Sequence, residues 1–277
     1  MLKAGFIGAG NRSQKAHYPN VHRLEQDVEM SAVCELDEAR LDQVAKKYEF
    51  PQTFTDHKKM LDEVDLDVIY CVMNEKWILQ TAIDCMNAGK HIFIEKPPGA
   101  NLEETEQLLE TAIANNVYAM VGFQRRYTAI TREAMRVVSE KGPVSSVVTT
   151  FNKQMLGDAA GGFTSTLWND VCHIVDLTRY MAGGEPTEVT VYQDKFGSDY
   201  HNNYTALVRF ENNVTGTIFG NRASGGRVIR SELHGVGIGC YMKIPEEIEI
   251  HEDNKVPNTD LRDVIHSIRL VDQLEAK

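Results

Sequence analysis

No run in this 277-residue sequence approaches the roughly 18 consecutive apolar residues that a membrane-spanning helix needs. Positive charge is in short supply as well. Against 40 aspartates and glutamates stand 29 lysines and arginines, and the net charge of −11 disfavours both a nucleic-acid backbone and an anionic bilayer as partners. Cysteine is sparse: the five (Cys34, Cys71, Cys85, Cys172, Cys240) are scattered, odd in number and form no C-x-x-C pair. That pattern argues against a disulfide framework and a zinc site and fits a reducing cytosol. Met1-Leu2-Lys3 runs straight into a strand pattern with no secretory leader, so the expected location is cytoplasmic. What is present is the composition of a soluble globular protein, 42% apolar and 25% charged, with length for one large domain or two ordinary ones. No internal repeat or low-complexity linker interrupts it.

The first half alternates strand and helix. Leu2 to Ile7 reads as a strand, followed by Gly8-Ala9-Gly10 and a helix to about Leu24. Met30 to Cys34 is a second strand and Glu38 to Tyr48 a helix with Leu41, Val44 and Ala45 on one face. After a short extended piece at Thr53-Phe54, Asp56 caps the helix holding Met60 and Leu61. Val68 to Val72 is a buried strand, and the helix from Trp77 to Ala88 ends at Gly89. His91-Ile92-Phe93-Ile94 is a short apolar run stopped by Pro97 and Pro98, which lack an N–H to continue a ladder. A helix over Leu102–Asn115 and a strand over Val117–Val121 follow. This rhythm means βαβ units on a parallel sheet.

After Gly122 the rhythm changes. Helices are expected over Arg132–Glu140 and Trp168–Met181, separated by a strand from Val144 to Phe151 and a loop containing Gly157, Gly161 and Gly162. Strands then dominate: Val189–Tyr192, Ala206–Phe210, Thr215–Phe219, Val228–Leu233 and Ile248–Ile250, with a hairpin turn at Asn212-Asn213 and a closing helix over Leu261–Leu274. Short turns between strands indicate an antiparallel sheet with one face free for a partner subunit. The fold class is therefore α/β. Residues 1–121 form a Rossmann dinucleotide-binding domain, and residues 122–277 an α/β domain with a large, mostly antiparallel open sheet.

Candidate cofactor residues gather at strand ends. Gly8 and Gly10 permit a tight turn whose N–H groups, with Asn11 and Arg12, meet a pyrophosphate at a helix N-terminus. Ser13 stands where a third glycine usually falls. Glu35 ends the second strand; its carboxylate accepts from both adenosine ribose hydroxyls and repels a 2′-phosphate, which favours NAD over NADP. Arg12 and Arg40 are the counter-indications, since either could hold a phosphate. Val72, Met73 and Asn74 border the nicotinamide ribose or form a plain turn. Glu95 and Lys96 lie at a strand's C-terminal end, where open α/β sheets bind ligands.

With Gly8-Ala9-Gly10, Glu95-Lys96-Pro97, Gly122-Phe123-Gln124-Arg125-Arg126-Tyr127 and His173-x-x-Asp176 in place, nearly the whole chain resembles the Gfo/Idh/MocA oxidoreductase family. The resemblance implies NAD(P)-linked oxidation of a sugar or cyclitol hydroxyl by homodimers or homotetramers packed through the second sheet. It implies that Lys96 touches the nicotinamide ribose and the reacting hydroxyl, that Glu95 holds the cofactor side, and that His173 is the histidine of the second-domain helix. Members often carry an aspartate four residues before that histidine. Here Asn169 occupies that position and Asp170 lies three before, on the same helix face. Two further departures are Asn74-Glu75-Lys76-Trp77, where many members have Pro and His, and a short passage around Val256-Pro257.

The chemistry expected of these residues is hydride transfer to nicotinamide. His173, a histidine near its ordinary pKa, is the base; Lys96 orients the hydroxyl and stabilises alkoxide charge; Asp170 orients substrate or imidazole. Arg125, Arg126 and Tyr127 either hydrogen-bond a polyol or make inter-domain salt bridges. Trp168 walls the pocket or packs, and Asp176 serves helix packing. Cys172 beside His173 is no metal pair, because adjacent helical residues do not face each other. Two other functions stay open: a glycoside hydrolase using NAD for transient oxidation, and a non-catalytic dinucleotide-binding regulator. Pro97 and Pro98 are expected to fix the backbone, through one cis bond, so that Lys96 points into the crevice.

Overall fold

The computed structural model describes residues 1–156 and 165–252. The expected closing helix and the glycine-rich loop at 157–164 lie outside them. The first sheet is parallel throughout, in the order β3-β2-β1-β4-β5-β6. Its elements run β1 (Leu2–Ile7), a π-helical turn (Ser13–His17) continued by α1 (Tyr18–His22), β2 (Val28–Cys34), α2 (Glu38–Tyr48), β3 (Gln52–Phe54), α3 (His57–Glu63), β4 (Val68–Cys71), α4 (Glu75–Asn87), β5 (His91–Ile94), α5 (Leu102–Ala114) and β6 (Ala119–Val121). Side-chain caps start four of these helices: Asp37, Asp56, Asn74 and Asn101 each accept from a main-chain N–H of the first turn.

Strand register decides where the site forms. Ile7 lies opposite Cys34 on one side and Cys71 on the other, and Cys71 lies opposite Ile94. The residues that follow these positions, Gly8, Glu35, Val72 and Glu95, are therefore level at one edge of the sheet. That edge is the switch point between β1 and β4, where an open α/β sheet leaves a crevice. Ile69, Ile92 and Ile94 are sealed beneath α4 and α5. Each such side chain contributes about 1.5–3 kcal/mol by leaving water.

A single helical turn (Gln124–Tyr127) leads to α6 (Ala129–Lys141) and β7 (Val144–Gln154). A second π-helical turn (Leu167–Val171) runs into α7 (Cys172–Ala182), followed by β8 (Pro186–Asp194), β9 (Asn203–Phe210), β10 (Thr215–Asn221), β11 (Ala223–Gly235), β12 (Ile238–Lys243) and β13 (Glu247–Glu252). These strands form one sheet, β13-β12-β11-β7-β10-β9-β8, antiparallel except for the β7–β10 pair. Its helix-side face is the larger core, with Ile174, Leu177 and Met181 of α7 packed among residues that include Val147, Phe151 and Ile218. Gly220 lets the helix approach, since a Cβ there would lie 2.8 Å from Val171 Cγ1. On the other face Tyr192 and Leu207 are exposed, while Val189 and Val191, opposite Val208 and Ala206, are exposed on the helix side of the edge strand β8.

One strand escapes the sequence reading. β12 carries buried Ile238, Cys240 and Met242 but follows Gly235 and Gly237 and contains Gly239, which obscure its alternation. Gly237, at φ +69°, makes the tight turn that pairs it with β11.

Candidate active site

The level strand ends line a cleft of about 560 Å3 that includes Gly8, Gly10, Glu35, Arg40, Val72, Met73, Asn74 and Trp77. Gly8 adopts φ +97°, and a Cβ there would stand 2.3 Å from the Val72 carbonyl oxygen, so no larger residue fits this turn. Gly10 has nothing within 4 Å of where a Cβ would be, leaving backbone open to a ligand. Ser13 does more than replace a third glycine. Its hydroxyl donates to the Gly8 carbonyl at 2.6 Å, and the Tyr18 hydroxyl donates to the same oxygen at 2.9 Å. Glu35 is held by the main-chain N–H groups of Ala9 (2.8 Å) and Asp37 (3.1 Å). Arg40 pairs with Glu35 and Asp37, so its charge is already answered by carboxylates. These residues fit a dinucleotide: glycine turn, open backbone, and an acid at the end of β2.

Glu95 is buried behind this cleft. It accepts from Arg12 Nε and meets His17 Nε2, each at 2.7 Å, and the Lys96 main-chain N–H donates to its second oxygen at 3.2 Å. Burial alone would raise its pKa, but the hydrogen bonds from His17 and Arg12 outweigh it and hold the carboxyl at about 2. Arg12 is thus engaged with Glu95, where the sequence suggested a phosphate ligand. The Lys96–Pro97 peptide is cis.

Three contacts join this edge to the second domain's helix entrance. Lys96 Nζ donates to the main-chain carbonyl of Asn169, and Trp168 Nε1 donates to the Gly99 carbonyl at 2.7 Å. The Asn169 side-chain amide reaches Glu75 Oε1 at 3.4 Å. The turn at Leu167–Val171 therefore docks on the loop after β5 and on the start of α4.

Beyond it, Asp170 does not orient the His173 ring by a hydrogen bond. Its carboxylate lies 3.0 Å from Arg222 Nε and 3.3 Å from Lys153 Nζ. Burial would raise its pKa, yet Arg222 and Lys153 overcome this and keep it lowered. His173 is buried, with Nδ1 lacking a hydrogen-bond partner and its ring edge-on to Phe123. The expectation of an ordinary histidine pKa fails. Burial first, then the charges of Arg125 and Lys96, push it down to about 3. At neutral pH the imidazole is uncharged, and the same burial and cations make it a weak base. Arg125 is also buried, over the Phe151 ring at 5.0 Å.

Other expected site residues lie apart. Arg126 makes a two-pronged ion pair with Asp176 of α7, linking elements within the second domain. Tyr127 is 47% exposed and lies under Arg132 at 5.5 Å. Asn74 caps α4 through Lys76 N–H while still lining the cleft. Burial pushes the Cys172 thiol up to about 11, so it is not a thiolate nucleophile at neutral pH.

Sequence reasoning missed His17, Glu75, Lys153 and Arg222. Only Lys153 carried a signal: it keeps the odd-numbered inward register of Val147, Thr149 and Phe151 along β7. Arg222 follows the end of β10 and meets Asp170 solely through the chain's return across β7.

The parallel 3-2-1-4-5-6 sheet, its glycine turn and the acid after β2 define a dinucleotide-binding protein of the Rossmann class. A model of the oxidoreductase family with an NAD-binding Rossmann fold matches residues 2–123, and a model of the Gfo/Idh/MocA C-terminal domain matches residues 131–237. The chain belongs to the Gfo/Idh/MocA family. It is 27% identical over 193 residues to an uncharacterized oxidoreductase, YrbE, of Bacillus subtilis, covering 68% of this chain and 56% of that one. It is 24% identical over 196 residues to a myo-inositol 2-dehydrogenase of Thermotoga maritima, covering 68% and 57%. The chain thus spans a little over half the length of these curated relatives. A levoglucosan dehydrogenase solved in complex with NADH shares the fold, with a TM-score of 0.83 at 20% identity over 93% of this chain and 77% of that one. Among the described residues no helix is long and apolar enough to cross a membrane.

Proposed function

We propose that this chain oxidises a hydroxyl of a sugar, inositol or related polyol with NAD. The observation that carries the reading is the direct bond from Lys96, at the end of the cofactor edge, to the helical turn that leads into His173. Gly8, Gly10, Asn11, Glu35, Val72, Met73 and Asn74 are the residues assigned to hold the cofactor, which when bound supplies the hydride acceptor. Lys96 holds the substrate oxygen and stabilises alkoxide charge as it develops. The uncharged His173 ring accepts the hydroxyl proton as developing alkoxide charge offsets the burial and cations that hold its pKa down. Asp170, locked to Arg222 and Lys153, positions the turn that carries Asn169. Arg125 and Trp168 complete the substrate side. The exposed apolar residues Tyr192 and Leu207 favour a second copy of this chain on the open face of the second sheet, as a homodimer or homotetramer.

The test is a panel of sugars and polyols with NAD and NADP, read by absorbance of the reduced cofactor. NAD-linked oxidation of at least one polyol is expected. Glycoside cleavage with retained cofactor and no net NADH would replace this reading with hydrolysis by transient oxidation. Dinucleotide binding without any turnover would replace it with a regulatory role.

A further inference from the structure

The wall of the substrate side is cationic beyond what a neutral polyol requires. Three guanidinium carbons surround the Phe151 ring: Arg222 at 4.0 Å, Arg125 at 5.0 Å and Arg227 at 5.6 Å from its centroid. Lys153 stands two residues along β7 on the same face, directly opposite Arg227 in the β7–β11 ladder. Like charges facing each other across a strand pair are destabilising unless something answers them. Asp170 is the carboxylate that the described residues bring into ion-pair contact with this group, and it is taken up by Arg222 and Lys153. Glu95, whose charge also acts on His173, is taken up by Arg12 and His17.

Two of these arginines are held with donors unanswered. Arg125 is 6% exposed, and its Nε has no hydrogen-bond partner. Arg222 is fully buried; it donates to the Phe151 carbonyl at 2.6 Å, while its Nη2 has no partner. A buried charged donor without an acceptor carries its whole desolvation cost. Burial, together with the repulsion of Arg227 and Arg222, pushes Arg125 down to about 10. Such an arrangement persists when it is completed by a bound anion, for which the planar guanidinium fork is suited.

We propose that the substrate carries an oxyanion, a carboxylate or a phosphate, in addition to the hydroxyl that is oxidised, and that Arg125 and Arg227 receive it. Arg222, sealed from solvent, supplies fixed charge beside them. This rests on the polyol-oxidation reading above and narrows it to anionic sugars. The anion is a spectator to the redox step: the carbinol carbon loses a hydride, its oxygen loses a proton, and the oxyanion is unchanged in the product.

The experiment measures binding by calorimetry and turnover by reduced-cofactor absorbance, using the full chain. Binding is measured on the NADH-loaded protein with glucuronate, gluconate and a hexose phosphate, against glucose and myo-inositol. The expected result is tighter binding and higher kcat/KM for an anionic member than for its neutral counterpart; the carboxylates and the phosphate decide between the two oxyanions. Arg227→Gln, at an exposed strand position that folding tolerates, should weaken the anion about tenfold and leave neutral sugars unchanged. Arg125→Lys should weaken it less than Arg125→Met. Preference for neutral sugars, an unchanged anion affinity in Arg227→Gln, or no anion binding would overturn the inference and leave polyol oxidation standing. Anion binding that depends on Arg227, with no oxidation of any compound, would support the anion site and overturn the oxidation reading instead.

Discussion

Lys96 Nζ donates to the main-chain carbonyl of Asn169, so the lysine that ends the cofactor edge grips the second domain through backbone. The consequence is a separation of roles. Lys96→Ala should lower turnover by about a hundredfold or more while NADH still binds. Asn169→Ala keeps the carbonyl and loses only the long contact to Glu75, so its effect on kcat should stay within about threefold. Steady-state kinetics on the two variants checks both; an equal loss in both would refute the assignment.

Arg222 is fully buried and Asp170 half-buried, so removing the carboxylate strands a buried guanidinium. Asp170→Asn should cost about 3–5 kcal/mol of stability. Combining it with Arg222→Met should recover part of that loss, because the uncompensated charge is gone. Urea unfolding midpoints of the three variants measure this coupling.

Glu95 makes stability depend on acid. Its folded pKa of about 2 lies below the ordinary 4.5, so its contribution is full above pH 4.5 and lost as pH falls toward 2. The shift corresponds to about 3 kcal/mol as an upper figure. Thermal unfolding of Glu95→Gln between pH 5 and 2.5 should therefore fall less steeply than that of the parent.

His173 should give no acid limb near pH 6.5 in kcat/KM, because burial keeps it uncharged down to about pH 3. Its folded pKa is depressed, so the unfolded chain takes up the proton first. Stability is full above pH 6.5 and is lost as pH falls toward 3. A limb near pH 6.5 that disappears in His173→Asn would contradict this.

Glu35 is fixed by the Ala9 N–H and faces Arg40. Glu35→Ala removes the carboxylate that repels a 2′-phosphate and frees Arg40 to pair with one. The ratio of KM for NAD over NADP should shift by about tenfold toward NADP. An unchanged ratio would remove Glu35 from the ribose.

Much of the first domain was legible because its signals are local. Apolar runs such as Val68–Cys71 and His91–Ile94, ended by turn formers or prolines, mark buried parallel strands, and Gly8 and Gly10 mark the turn between the first strand and helix. The second domain was less so. β12 was lost among glycines, and Asp170 was read against His173 because helix register was the only geometry available. His173's depressed pKa was also out of reach, since burial and the field of Arg125 depend on how α7 seats on β7.

The sequence by itself determined the alternating elements, the glycine turn, the acid ending β2 and the lysine after β5, because periodicity, φ preference and missing N–H groups act within a few residues. The tertiary structure alone decided which charges meet. It joined Lys96 to Asn169, gave Glu95 to Arg12 and His17, and brought Arg125, Arg222 and Arg227 around Phe151. Electrostatic and hydrogen-bond partners are set by distance in space. Residues as distant in sequence as Arg12 and Glu95, 83 positions apart, become neighbours only when strand order and register bring them there.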